Sequence, residues 1–162
     1  MGEVINLFKR MGGKQMPSIY EVADTFLTMH SFSNKKLQKL CYYAEAWYWA
    51  VNNKPLTGFE YEAWIHGPVC PDLYYTYKNY GYCNIMGKHI IPECIENNEY
   101  LKTFLTTIYS MYGDMSADKL ELLTHNETPW LNARGNTDTN EPSHNIIDTE
   151  HMRIYYSSLE KN

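Results

Sequence analysis

No stretch of this chain stays apolar for the roughly 18 residues that a membrane-spanning helix needs, so hydropathy gives no bilayer segment. A phosphate-cradling G-x-x-x-x-G-K-[ST] loop is missing, and so are the G-x-G-x-x-G, G-x-S-x-G and H-E-x-x-H signatures. Nucleotide-fold, serine-hydrolase and zinc-protease readings therefore have no motif to start from. Cysteine is scarce. Cys41, Cys70, Cys83 and Cys94 form no C-x-x-C pair, which argues against a zinc site of the usual spacing. Basic residues are also few, 14 Lys and Arg against 19 Asp and Glu, and the net charge of −5 disfavours wholesale nucleic-acid binding. Internal repeats and low-complexity runs are absent.

What the chain does have is aromatic side chains: 15 Tyr, 5 Phe and 4 Trp in 162 residues, enough for one domain with a Tyr-rich core and rim. Charge is uneven. Residues 1–17 hold Lys9, Arg10 and Lys14 against Glu3, a balance of +2, which leaves −7 for the remainder of a chain whose total is −5. An acidic body suits a basic protein partner. The first 17 residues have no apolar h-region and are broken by Gly12-Gly13 and Pro17. They read as an arm, followed by one domain over 18–162. With no leader visible and with reduced cysteines expected, a cytosolic setting is the expectation.

Apolar periodicity predicts a mainly helical fold. Ser18 with Glu21 makes a capping box for a helix ending near His30. Ser33 caps a helix over 34–52 that is apolar almost all round, the mark of a buried central helix, with Cys41 inside it as a free thiol. Phe59 to Ile65 alternates like a short strand at an edge or in a hairpin, and Gly67-Pro68 reads as the turn after it. Pro71 opens a helix bearing Leu73, Tyr74 and Tyr77. A second strand near 88–91 is expected to pair with 60–65. Further helices are expected at 100–112, closed by Gly113, and from Ser116. A short one is capped by Thr128 with Pro129, and a last one over 149–160 buries Met152, Tyr155, Tyr156 and Leu159. Residues 135–145 are almost purely polar and read as a mobile loop. The expected architecture is a compact single-domain helical bundle around the 34–52 helix, with two or three short strands.

Three groups of residues are candidates for chemistry or contact. If His66, His125 and Glu127 met in space, they would suit a divalent metal or proton transfer; hydrogen bonds tying loop ends to helix carbonyls are the plainer role for these histidines. Trp64, Trp130 and Arg134 are of the types that anchor interfaces, although both tryptophans also suit a core. Tyr74, Tyr75, Tyr77, Tyr80 and Tyr82 crowd one short helix and its exit. One face cannot bury them all, so Tyr75 and Tyr82 are expected to be exposed beside the Gly-Pro turn as a protein-binding patch.

Read in order, SNKKLQKLCYYAEAWYWAVNNKPL, EAWIHGPVCPDLY and LLTHNETPW resemble the Panacea domain, the SocA-like or phage-associated GepA-like antitoxin family. The resemblance covers about residues 19–158, and it is the combination that is specific. The family's motif residues correspond here to Leu37, Leu40, Trp64, Gly67, Pro68, Val69, Thr124, His125, Glu127, Pro129 and Trp130, most of which read as structural. The resemblance implies a bacterial or phage antitoxin that neutralises a cognate protein toxin by direct contact, without a cofactor and without turnover. Some toxins paired with such domains are nucleotide-transferring and related to alarmone synthetases. Tyr74, Tyr75, Tyr82, Trp130, Arg134, Lys9 and Arg10 are the expected toxin contacts, and a homodimer giving a two-plus-two complex is compatible with the aromatic surplus. The alternatives are a metal-assisted hydrolase on His66, His125 and Glu127, or a proteolytic adaptor.

Overall fold

The computed structural model describes residues 16–160. Eight helices and a small hairpin succeed one another as α1 (Ile19–Met29), α2 (Asn34–Asn52), β1 (Glu62–Trp64), β2 (Gly67–Val69), α3 (Pro71–Tyr77), α4 (Glu93–Glu96), α5 (Glu99–Tyr112), α6 (Ala117–His125), α7 (Thr128–Arg134) and α8 (Thr149–Glu160). The caps explain most of these boundaries. Ser18 accepts from the Glu21 amide while Glu21 reaches back to the Ser18 amide, completing the capping box of α1. Ser33, Asn98 and Ser116 accept in the same way at the starts of α2, α5 and α6. Asn53 takes the left-handed conformation that ends α2.

Helix α2 is the axis of the molecule. Fifteen of its 19 residues are buried, so it is enclosed on every side. Helix α8 lies along it, and α1, α3, α5, α6 and strand β2 complete the surround. Tyr42, Tyr43, Tyr61 and Tyr156 are all within 1% of full burial, and the tyrosine-rich core is real. Tyr43 stacks on Tyr112 at 4.0 Å between ring centroids, and Trp47 donates to the Tyr112 hydroxyl at 2.8 Å. Cys41 is buried as a free thiol.

Several local expectations are corrected. The hairpin turn is Ile65-His66, and Gly67 and Pro68 already belong to β2, with Trp64 opposite Gly67 and Glu62 opposite Val69. No strand forms at 88–91. The free side of β1 is taken instead by residues 145–147, where the Ala63 amide donates to the Asn145 carbonyl at 2.9 Å and the Ile147 amide to Tyr61 at 2.8 Å. β1 is therefore flanked on both sides rather than an edge. The 84–88 segment hangs on the α1–α2 connection, through Ile85 to Phe32 and Lys88 to Leu27. Thr128 is the first residue of α7 rather than its cap. Glu127 holds the cap position without a capping bond, because its carboxylate is engaged in the core. Leu159 is exposed and Tyr155 only half-buried, while Met152 and Tyr156 are buried as expected.

Candidate functional site

Polar side chains on α2 organise the hairpin and the start of α3. Gln38 accepts the Cys70 amide at 3.0 Å and donates to Asn34 at 3.1 Å, and Asn34 donates to the Tyr74 carbonyl. Lys39, 1% exposed, reaches under the strand and donates to the Pro68 carbonyl at 3.3 Å. Its end lies over Gly67, which is why no side chain stands there. Farther along α2, buried Glu45 accepts the amides of Leu56, Thr57 and Gly58, closing the loop after α2. Burial outweighs those bonds and raises the Glu45 carboxyl above its usual range.

The segment from Thr124 to Arg134 clamps the hairpin from the other side. Thr124 is fully buried against Gly67. His125 stacks on Trp130 at 4.0 Å. Trp130 donates to the Trp64 carbonyl at 3.0 Å, and Arg134 to the Ala63 carbonyl at 3.1 Å. Arg134 also bonds the carbonyls of Asp138 and Glu141, and Asn145 bonds Ala133, so the polar 135–145 loop is pinned rather than mobile. Glu127 points inward and accepts from Tyr43 at 2.7 Å and Tyr156 at 2.9 Å. Burial pushes its carboxyl up to about 7, and the two tyrosine hydroxyls oppose this.

His66, His125 and Glu127 do not meet. His66 is exposed and bonds Glu121 at 2.7 Å; His125 lies 4.0 Å from the same carboxylate; Glu127 faces the tyrosines. Among the described residues no group of His, Cys, Asp or Glu has metal-binding geometry. Of the expected contact residues, Tyr82 is fully exposed, Tyr75 is 61% exposed and Tyr74 is half-buried, whereas Trp130 and Arg134 are 2% and 3% exposed. Trp130 and Arg134 are interior braces and present no surface to a partner. Lys9 and Arg10 lie outside the described residues.

Between the hairpin and the N-terminal half of α2 is a cavity of 570 Å³. Trp64, Val69 and Tyr74 give it apolar wall, and buried Lys39 and exposed Lys78, Tyr82 and His144 also line it. Trp64 is held edge-on between Tyr74 and His144, and its indole donates to Glu62 at 2.6 Å. Desolvation brings the Lys39 ammonium down to about 7; nearby Lys35 acts in the same direction and Glu121 against it. Lys39 was not singled out by the sequence motifs. Its neighbours Lys35 and Lys36 on the same helix are partly exposed, and only the packing of the hairpin and α6 over the next turn buries Lys39.

Next to the cavity, Tyr75, Tyr80, Tyr82, Met86 and Ile90 are all exposed, by 61%, 38%, 100%, 75% and 81%. No helix among the described residues is long and apolar enough to cross a membrane. No curated protein and no solved structure matches this chain. Residues 37–131 match the family model of the antitoxin SocA-like, Panacea domain. The match begins at the first buried leucine of α2, runs through the hairpin and ends one residue past Trp130. It takes in more than half of the chain, with Lys39, Gly67, Thr124 and Trp130 all inside it, and the chain belongs to the SocA-like antitoxin, Panacea domain family.

Proposed function

We propose that this chain is an antitoxin that neutralises a cognate protein toxin by direct, stoichiometric contact. The observation that carries the surface assignment is the run of five large apolar side chains left exposed between residues 75 and 90. Large apolar side chains left in water on a small domain favour contact with a partner, and tyrosine is favoured in interfaces. The Tyr74 ring packs edge-on to that of Tyr75, with centroids 5.4 Å apart. The net charge of −5 complements a basic partner, such as a toxin whose site grips nucleotides or RNA. A nucleotide-transferring, alarmone-synthetase-like toxin fits that description. Lys9 and Arg10 of the N-terminal arm are assigned to the same partner, and a homodimer would make the complex two-plus-two.

The test is co-expression with the protein encoded beside this chain. Growth should be arrested by the neighbour alone and restored with this chain, the two should co-purify at fixed stoichiometry, and the toxin's level should stay constant. Tyr82→Ala with Met86→Asp should lose both rescue and complex. A neighbour that is harmless by itself, or rescue with no complex, defeats the reading. Rescue accompanied by rapid loss of the toxin would favour a proteolytic adaptor.

A further inference from the structure

The cavity behind the hairpin has features that toxin contact leaves unused. Its volume of 570 Å³ lies in the range of small-molecule clefts. The protein is acidic, yet no Asp or Glu lines this space. Three lysines do. Lys35 is committed to Asp118 and Glu121. His66 and His144 have Glu121 and Glu62 behind them. Lys78 has no carboxylate partner among the described residues and rests against the Tyr75 ring. Lys39 is 1% exposed, and its single hydrogen bond among the described residues is the 3.3 Å contact to Pro68. An ammonium carries three donors, and one held in the interior with donors unspent is costly unless something else satisfies it. The amides of Asn34 and Gln38 bond each other and the backbone, and neither bonds Lys39.

We infer that this cavity binds a small organic anion with a flat apolar body, its anionic group taken by Lys39 and Lys78 and its body lying against Trp64 and Tyr74. A carboxylate or phosphate head satisfies the same donors. Tyr82 borders both the cavity and the exposed 75–90 segment, and because the inference is tested on this chain without toxin, its failure is distinguishable from a failure of toxin binding.

Calorimetric titration of the full chain with phenyl phosphate and with benzoate tests it, with tryptophan fluorescence as a second readout because Trp64 forms the wall. At least one of the two should bind saturably, and the tighter identifies the head group. Benzyl alcohol, which has the body without the charge, and inorganic phosphate, which has the charge without the body, should each bind more weakly by about tenfold or more. Lys39→Met should weaken binding by about tenfold or more. Lys78→Ala, at an exposed position that leaves the fold intact, should weaken it several-fold. The inference is overturned if neither anion binds saturably, if benzyl alcohol binds as well as they do, or if binding is unchanged in both lysine variants.

Discussion

The end of the Lys39 side chain crosses the bare Cα of Gly67. A Cβ on Gly67 would lie 2.5 Å from Lys39 Cε and 2.9 Å from Thr124 Oγ1. One crossing therefore joins the three motif segments, LQKL on α2, HGPV on the hairpin and LTH on α6. Gly67 also has φ +108°, a conformation that residues with a side chain rarely adopt.

Gly67→Ala should therefore destabilise the fold by about 2–4 kcal/mol, from backbone strain and overpacking together. Lys39→Ala should relieve the Lys39 part of the clash but neither the Thr124 contact nor the strain, so the double variant should cost less than the two singles combined, by about 1 kcal/mol. Urea unfolding of the four proteins measures this. An unchanged midpoint for Gly67→Ala would contradict the packing.

Glu127 should make stability fall as pH rises. Burial holds its folded carboxyl near 7, against an unfolded value of 4.5. Below 4.5 both states are protonated and nothing is lost; between 4.5 and 7 only the unfolded state ionises, so the native state loses ground; above 7 the penalty is complete. At ~1.4 kcal/mol per unit it amounts to about 3 kcal/mol. Glu127→Gln cannot ionise, so its stability relative to wild type should improve from pH 5 to pH 8. A constant difference across that range would show that the carboxyl is not raised.

Lys39 acts in the opposite sense at higher pH. Its folded ammonium is brought down to about 7 from 10.5, by burial first and then by Lys35, with Glu121 opposing. Below 7 the charged form is buried and the penalty is full; between 7 and 10.5 the native state has shed the proton that the unfolded state keeps, and stability is regained. The span corresponds to at most about 5 kcal/mol. Lys39→Met should thus gain on wild type most at pH 6 and least at pH 10, as read from melting temperatures. Together the two groups place their least favourable point near pH 7.

Arg134→Ala removes the donors to the carbonyls of Ala63, Asp138 and Glu141. It should cost about 2–4 kcal/mol, and it should open residues 135–145 to proteolysis. Mass spectrometry of limited digests locates the cut. Resistance equal to wild type would mean that the loop is held by something else.

Tyr82 and Trp130 should separate cleanly. Tyr82→Ala, at a fully exposed residue, should change stability by no more than about 0.5 kcal/mol while weakening toxin binding. Trp130→Ala empties a 2% exposed core position and should cost about 3–5 kcal/mol. Chemical denaturation of both variants, set beside a toxin pull-down, distinguishes the surface from the brace.

The helices were legible because their signals are local. Ser18 with Glu21, Ser33 and Ser116 fix helix starts by accepting from amides a few residues away, the Gly113 amide closes α5 on the Tyr109 carbonyl, and the nearly all-round apolar pattern of 34–52 favours burial. The hairpin was half legible. Alternation revealed β1, but its partners depend on two-residue turn geometry at Ile65-His66 and on residues 145–147, some eighty positions distant. Composition misread 135–145, because polar residues look like free loop until one arginine gathers their carbonyls. Trp130 and Arg134 have the composition of interface anchors, and only packing showed them turned inward.

By itself the sequence determined the helical class, the central helix, the family and the exposure of Tyr75 and Tyr82, since each depends on periodicity, capping or motif order along the chain. Tertiary structure alone decided that Lys39 would be buried beside a cavity without carboxylates, that Glu127 would face Tyr43 and Tyr156, and that His66, His125 and Glu127 would stay apart. The physical reason is that the energy of a charged side chain is set by what other elements bring to it, and that is fixed only when α2, the hairpin and α6 close on one another.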